Sequence, residues 1–487
     1  SAFLWLMLTA WAAAVLVVGG PDWLSGGFAT YDNKRLLILA VLGGGGLLLA
    51  LHAGLRRAAG TAWGALPGPA RVLLTAFGAQ GLASALAAPR PGPALAEWGL
   101  VLALGLFAVG TAVSLGRLGR TGDGVLLAAL GLGTVLYMGD FYAAYMWATW
   151  GRDVPISWGS PFHDFVNVRF FNQVQTWTLP LLTVLAVWAY RLHRGLGALF
   201  GLAAIAWWAL LFATGGRGAL VAQVLGAALA ALFLGRSARP WLAAHSGLAV
   251  GGALLYAPLF HHAAPGVARA AEKAAHADSA RLALWADALD LTATHPWLGV
   301  GPMHFASGES QSTLGHPHNA ALQIAAEWGL PAALFLAAAL IWGLWAWLRA
   351  RRSAGTYAGS RHAFLVAGVA CAILAGLGHA MVSGIAVMPA SQFLGAAIVG
   401  WAWGLHLREQ PPARVRRGWW LPATSATVLV PLLVPASQQI PVLETARSQY
   451  SREVGKFHPR FWVQGDLEHP PWTHPSADLA EGPRQGP

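Results

Sequence analysis

The sequence predicts an all-α polytopic membrane protein, and three observations carry that prediction. First, 56% of the 487 residues are hydrophobic and only 10% are charged, with a mean hydropathy of +0.52, whereas a soluble domain carries about 25% charged residues. Second, apolar runs near 20 residues recur along the whole chain, each long enough to cross a hydrocarbon core of about 30 Å. Third, arginines cluster in alternate loops, as the positive-inside rule requires. A membrane β-barrel would instead show short alternating strands, and the chain has none of that pattern.

Length and apolarity place about thirteen transmembrane helices. They run over 2–20, 36–55, 69–88, 95–115, 124–148, 171–190, 196–213, 219–235, 241–261, 320–348, 363–382, 389–407 and 419–436. The first run is too long for a cleaved signal peptide and is read as a retained helix. The run from 320 is long enough to begin as a partly buried helix before it crosses. Arg56, Arg57, Arg71, Arg117, Arg120, Arg191, Arg194, Arg236 and Arg239 fall in one set of loops. Arg349, Arg351, Arg352, Arg361, Arg408, Arg414, Arg416 and Arg417 continue that set, which is therefore expected to be cytoplasmic. The opposite loops, including a large one over 262–319 between helices 9 and 10, are then periplasmic. The chain divides into a membrane domain, 1–436, and a short tail, 437–487. With an odd span count the tail is periplasmic as well; its start, PVLETARSQYSREVGKF, reads as either a short amphipathic helix or an irregular segment.

The remaining composition narrows the function. The formal charge of +11 sits mostly in the short arginine loops, so topology explains it and nucleic acid is not implied. The lone Cys371 excludes a disulfide within the chain and offers no cysteine metal site. Many of the 25 tryptophans lie near the ends of apolar runs, as in interfacial belts.

Three external segments concentrate polar groups, which are expensive beside lipid unless they face water, substrate or each other. The densest, 281–329, holds Arg281, Asp287, Asp290, His295, His304, Glu309, His316, His318 and Glu327. Within it Arg281 and Trp285 are four apart and share a helical face. HPWLGVG makes a Gly/Pro turn, and HPHN stands directly before a helical run. Asn319, Gln323 and Glu327 form one polar stripe. Glu327 lies nine residues after His318 and half a turn off its face, so it is expected to be a structural partner in the bundle, as is Asn319. A histidine at a loop–helix junction can take a proton from an attacking hydroxyl at neutral pH. His318 is the candidate base and His316 the second choice. The other two segments are SPFHDFVNVRFFNQVQ, with His163, Asp164, Arg169, Asn172 and Gln173, and TGGRGA around Arg217. Arginines at a membrane boundary can hold phosphate with a fixed bidentate fork. The histidine spacings match no common metal motif and no HExxH is present, so no metal is assigned.

The order TGGRGAL, then R-x3-W, then HPWLGVGP, then HPHNAALQIAAEWGLPAALF resembles the O-antigen ligase/polymerase superfamily. That superfamily includes lipopolysaccharide O-antigen ligases, O-antigen polymerases and bacterial protein O-oligosaccharyltransferases of the pilin-glycosylating type. The resemblance implies a glycosyltransferase of the C type in the bacterial inner membrane, with its active site facing the periplasm. It implies a glycan donor on undecaprenyl diphosphate and no cofactor. It also implies inverting, metal-independent transfer, with His318 as base and Arg169, Arg217 and Arg281 at the diphosphate. His316, Asn172, Gln173 and Trp285 are positioning candidates. The external tail favours a protein acceptor such as pilin over lipid A-core. A transporter for lipid-linked glycan is the reading outside enzymes, and it would be expected to show internal repeats.

Overall fold

The computed structural model describes residues 2–19, 30–149, 165–260, 281–307, 314–353, 360–410, 415–455 and 457–473. Several sequence-based expectations fall outside them: His163, Asp164, Glu309, much of the 262–319 loop and the end of the tail. Among the described residues every regular element is helical. The helices are α1 (Ala2–Val18), α2 (Thr30–Leu51), α3 (Ala53–Ala65), α4 (Gly68–Ala87), α5 (Pro91–Thr149), α6 (Val168–Leu192), α7 (Arg194–Ala213), α8 (Arg217–Leu234) and α9 (Arg239–Phe260). A helical run over 281–294 is α10. Then follow α11 (Ala320–Trp328), α12 (Leu330–Ser353), α13 (Arg361–Ala380), α14 (Pro389–Leu407), α15 (Leu421–Gln439) and α16 (Leu443–Glu453).

Eight segments among the described residues are long and apolar enough to cross a membrane. The number falls below thirteen partly because neighbouring runs fuse. The 95–115 and 124–148 runs join in α5, which changes direction at Gly119 (φ 59°). The 219–235 and 241–261 runs are joined through a short 3-10 turn, Gly235–Ala238. The finer count of thirteen crossings belongs to the sequence pattern alone. The 320–348 run divides at Gly329 into buried α11 and the largely outward-facing α12.

Two helices organise the bundle. Against α5 pack α1, α14 and α15, while α13 packs against α6 and α8. Polar groups bind the helices across their contacts, as interhelical hydrogen bonds do in membranes. Trp5 Nε1 donates to Thr111 Oγ1 at 3.1 Å, Trp177 Nε1 to Ser391 Oγ at 2.7 Å and Trp207 Nε1 to Thr178 Oγ1 at 2.9 Å. Asp123 accepts from Trp401 Nε1 at 2.8 Å and from both Arg408 Nη atoms at 2.7 and 2.8 Å. The tail does not hang free of this bundle. Arg460, Phe461, Trp462 and Val463 are buried in it, on the end that carries the HPHN segment.

Candidate functional site

The site grows from the five residues before α11. Asn319 ends the loop and caps the helix, its Oδ1 accepting from the N–H groups of Ala321 at 3.1 Å and Leu322 at 3.0 Å. His318 lies in the left-handed region at φ 55°. For a non-glycine residue that conformation costs on the order of 1–3 kcal/mol and persists only where the surroundings over-determine it. They do so here. The His318 N–H donates to His316 Nδ1 at 3.2 Å, Trp285 Nε1 donates to Pro317 O at 3.1 Å, and Arg460 Nη1 donates to Gly315 O at 3.1 Å. The two imidazoles stand edge to face with centroids 4.2 Å apart. His316 is buried against Gly384, where an added Cβ would stand 2.4 Å from its Cε1. Burial, with the His318 and Arg460 charges, pushes the His316 ring well below the ordinary histidine range.

Two helix starts and α10 carry the arginines that the sequence singles out with this loop. Arg169 is in the first turn of α6, Arg217 opens α8 and Arg281 is on α10. The charges of Arg281 and Arg217 act on Arg169, and those of Arg169 and Arg281 act on His318. Burial first, then these two cations, lowers His318 to about 4. The ring is therefore neutral at pH 7, the form that can accept a proton. The exposed guanidinium groups of Arg169 and Arg217 make no hydrogen bond or ion pair among the described residues. Like charges held together in this way repel unless an anion neutralises them.

The secondary candidates act as fasteners. Asn172 Nδ2 donates to Thr214 Oγ1 at 2.8 Å and Gln175 Oε1 at 2.9 Å, which ties the TGGRGA turn to α6. Gln173 Nε2 donates to Ser383 Oγ at 3.1 Å, which ties α6 to the link between α13 and α14. Trp285 holds α10 to Pro317. Glu327 is fully buried; its Oε1 accepts from Phe305 N–H at 3.1 Å and its Oε2 from Arg460 Nη2 at 2.5 Å and Gln323 Nε2 at 3.3 Å. Burial raises the Glu327 carboxyl, an effect that Arg460 opposes. Other polar groups of the 281–329 stretch point elsewhere. His304 bonds Pro302 O and the Arg90 N–H, and His295 turns to Thr294. Asp287 and Asp290 form no ion pair among the described residues.

Two residues at the site escape the sequence reading. His379, buried at the end of α13, bonds Thr176 through Nδ1 at 2.8 Å and lies close enough to Arg281 to feel its charge. A histidine inside an apolar run is the signal that marks it. Arg460 joins Glu97, Glu327 and Gly315 from the tail; the apolar triplet Phe461–Val463 beside it in an otherwise polar stretch is the corresponding signal.

In comparison with known families, residues 200–337 match the model described as O-antigen ligase. The match takes in the start of α8 with Arg217, α10 with Arg281, the HPHN segment and α11. It supports the O-antigen ligase/polymerase superfamily for this chain. Comparison with curated proteins finds no match.

Proposed function

We propose, from the premise that this is a membrane glycosyltransferase of the O-antigen ligase/polymerase type, that it moves a glycan en bloc from undecaprenyl diphosphate to an acceptor hydroxyl. The observation that carries the proposal is that Arg169 and Arg281 act on the neutral His318 while Arg217 and Arg281 act on Arg169. The arginines bind the diphosphate and stabilise the charge that develops as it departs. His318 takes the proton of the acceptor hydroxyl as that oxygen attacks the anomeric carbon. The C–O bond to phosphate breaks, its electron pair leaves with the diphosphate, and a single displacement inverts the centre. Three cations supply the electrostatic stabilisation, so the proposed step runs without a metal.

The favoured acceptor is a Ser or Thr of a protein such as pilin, at the periplasmic face of the inner membrane. The odd span count supports this, because it leaves the tail on the side of the HPHN loop. An acceptor on lipid A-core or a growing O-antigen is the second reading, and the family match supports it equally well. The test is glycan transfer in vitro with purified lipid-linked donor and each acceptor, for His316→Ala and His318→Ala side by side. A positioned base contributes about 10²–10⁴-fold, so His318→Ala is expected to lose transfer while donor binding survives. Full activity in that variant overturns the assignment. Loss confined to His316→Ala moves the base to His316.

A further inference from the structure

Helix α8 begins without a side-chain cap, with Gly216 at the N-cap position. The Arg217 N–H turns back to Gly215 O at 2.8 Å, and the Leu220 N–H bonds Gly216 O at 2.9 Å. Between them, the N–H groups of Gly218 and Ala219 have no acceptor among the described residues. Ala219 is 1% exposed, and a buried N–H left unpaired is rare.

A side chain from another helix faces the same turn. His379 is 5% exposed. The single hydroxyl proton of Thr176 goes to Asn172 O at 3.0 Å, so Nδ1 of His379 is the donor in the 2.8 Å contact with Thr176. Gln223 of α8 holds Thr176 O at 2.8 Å and locks the α6–α8 contact. The other ring nitrogen, Nε2, has no hydrogen-bond partner among the described residues. A Cβ added at Gly218 would stand 3.2 Å from that Nε2. Cβ directions on a helix tilt towards its N-terminus, so Nε2 borders the open first turn. Gly218 presents only backbone there, so the ring packs directly on the first turn and a methyl group would crowd it.

We propose that His379 Nε2, the Gly218 N–H and the Arg217 guanidinium form one cradle for a phosphoryl group of the lipid diphosphate. This deepens the donor reading above and rests on it. The end of a helix with unpaired N–H groups favours an anion, and the imidazole adds a directed donor from α13. The anion supplies the counter-charge that keeps a second proton, taken from water, on Nε2. When the bond from the anomeric carbon to the phosphate oxygen breaks, the electron pair stays on that oxygen and the donors tighten on it. The interaction is thus stronger in the transition state than with bound donor.

The experiment measures binding of undecaprenyl diphosphate to the purified full chain in lipid nanodiscs, with donor KM and kcat alongside. The variants are His379→Gln, Gly218→Ala and, for reference, Arg217→Lys. Gly218→Ala places a methyl group in the cradle while improving helix propensity, so it tests the site even if the histidine variant folds poorly. Losing a hydrogen bond to a charged group predicts about tenfold weaker binding for His379→Gln, and the methyl group of Gly218→Ala, crowding the same ring nitrogen, is expected to weaken it too, with donor KM raised in both. Wild-type affinity in both variants, with Arg217→Lys weakened, overturns the cradle and leaves the donor reading standing. Weakened binding in both, without transfer to any acceptor by the wild type, supports the cradle and sinks the transferase reading. No binding by the wild type removes both.

Discussion

His318 occupies its position under strain, and its neighbours decide what its ring can do. Burial and the charges of Arg169 and Arg281 lower its pKa to about 4, below the ordinary value of about 6.5. A lowered histidine is neutral above that value and protonated below it. A rate that needs the neutral base is therefore present at high pH and lost as pH falls through about 4. We expect kcat/KM for transfer, which reports the free enzyme, to stay flat from about pH 8 to about pH 5.5. In the kcat profile the acid limb should move to higher pH, because bound diphosphate offsets the two cations that disfavour the charged ring. A pH–rate series on the purified protein checks both; a kcat/KM limb near 6.5 contradicts the electrostatic reading. The arginines make a separate prediction. Arg217→Lys keeps the charge and loses the planar fork, so donor affinity and transfer should fall while the protein remains folded, measured by donor titration.

At the scale of elements, α11 is short because the chain must turn beside it. Three backbone hydrogen bonds close the HPWLGVG turn on its end: Val300 N–H to Ala326 O, Gly301 N–H to Glu327 O and Leu330 N–H to Pro296 O, each at 2.9 Å. The approach is possible only because Gly329 takes φ 87° with no side chain; a Cβ there would stand 2.2 Å from Trp297 O. Gly329→Ala is expected to cost at least about 1–3 kcal/mol from the backbone conformation alone, and the clash with backbone adds to it. Lower thermal stability in detergent and loss of transfer should follow. Gly343→Ala, in α12 with open space around its Cβ position, is the control and should be neutral or slightly stabilising.

At the scale of the molecule, the tail fastens parts that are remote in sequence. Arg460 pairs with Glu97 at 2.6 and 3.1 Å and with Glu327 at 2.5 Å, and it also holds Gly315 O. Its neighbours bond α2: Arg35 Nε donates to Phe461 O at 3.0 Å and the Val463 N–H to Asp32 Oδ1 at 2.8 Å. Removing one partner from a buried ion cluster costs about 3–5 kcal/mol, because the remaining charges stay desolvated. Arg460→Met should therefore lower thermal stability and abolish transfer through the HPHN loop, although Arg460 is not expected to touch substrate. Topology is tested by single thiols at exposed Ser451 and Arg417, since the native Cys371 is buried. Ser451→Cys should label from outside intact cells after outer-membrane permeabilisation, and Arg417→Cys only once the inner membrane is opened. The reverse pattern would put the HPHN end of the bundle in the cytoplasm.

Helix locations were legible in the sequence because apolar length is a local property. The runs at 36–55, 69–88, 196–213 and 363–382 each coincide with a helix to within a few residues at most ends. The loop–helix junction at HPHN and the placement of Arg169 and Arg217 at helix starts were legible for the same reason, since a polar group beside lipid stands out against its own neighbours. Tertiary structure alone decided which of those groups meet. Glu97 and Arg460 are 363 residues apart, and no periodicity links them. His379 comes to the Arg217 turn through the packing of α13 on α8, and its lone place in an apolar run does not say which neighbour it faces. Hydropathy reports how strongly a segment prefers lipid to water, whereas the partner of a buried charge depends on how helices cross and on which backbone can approach closely enough.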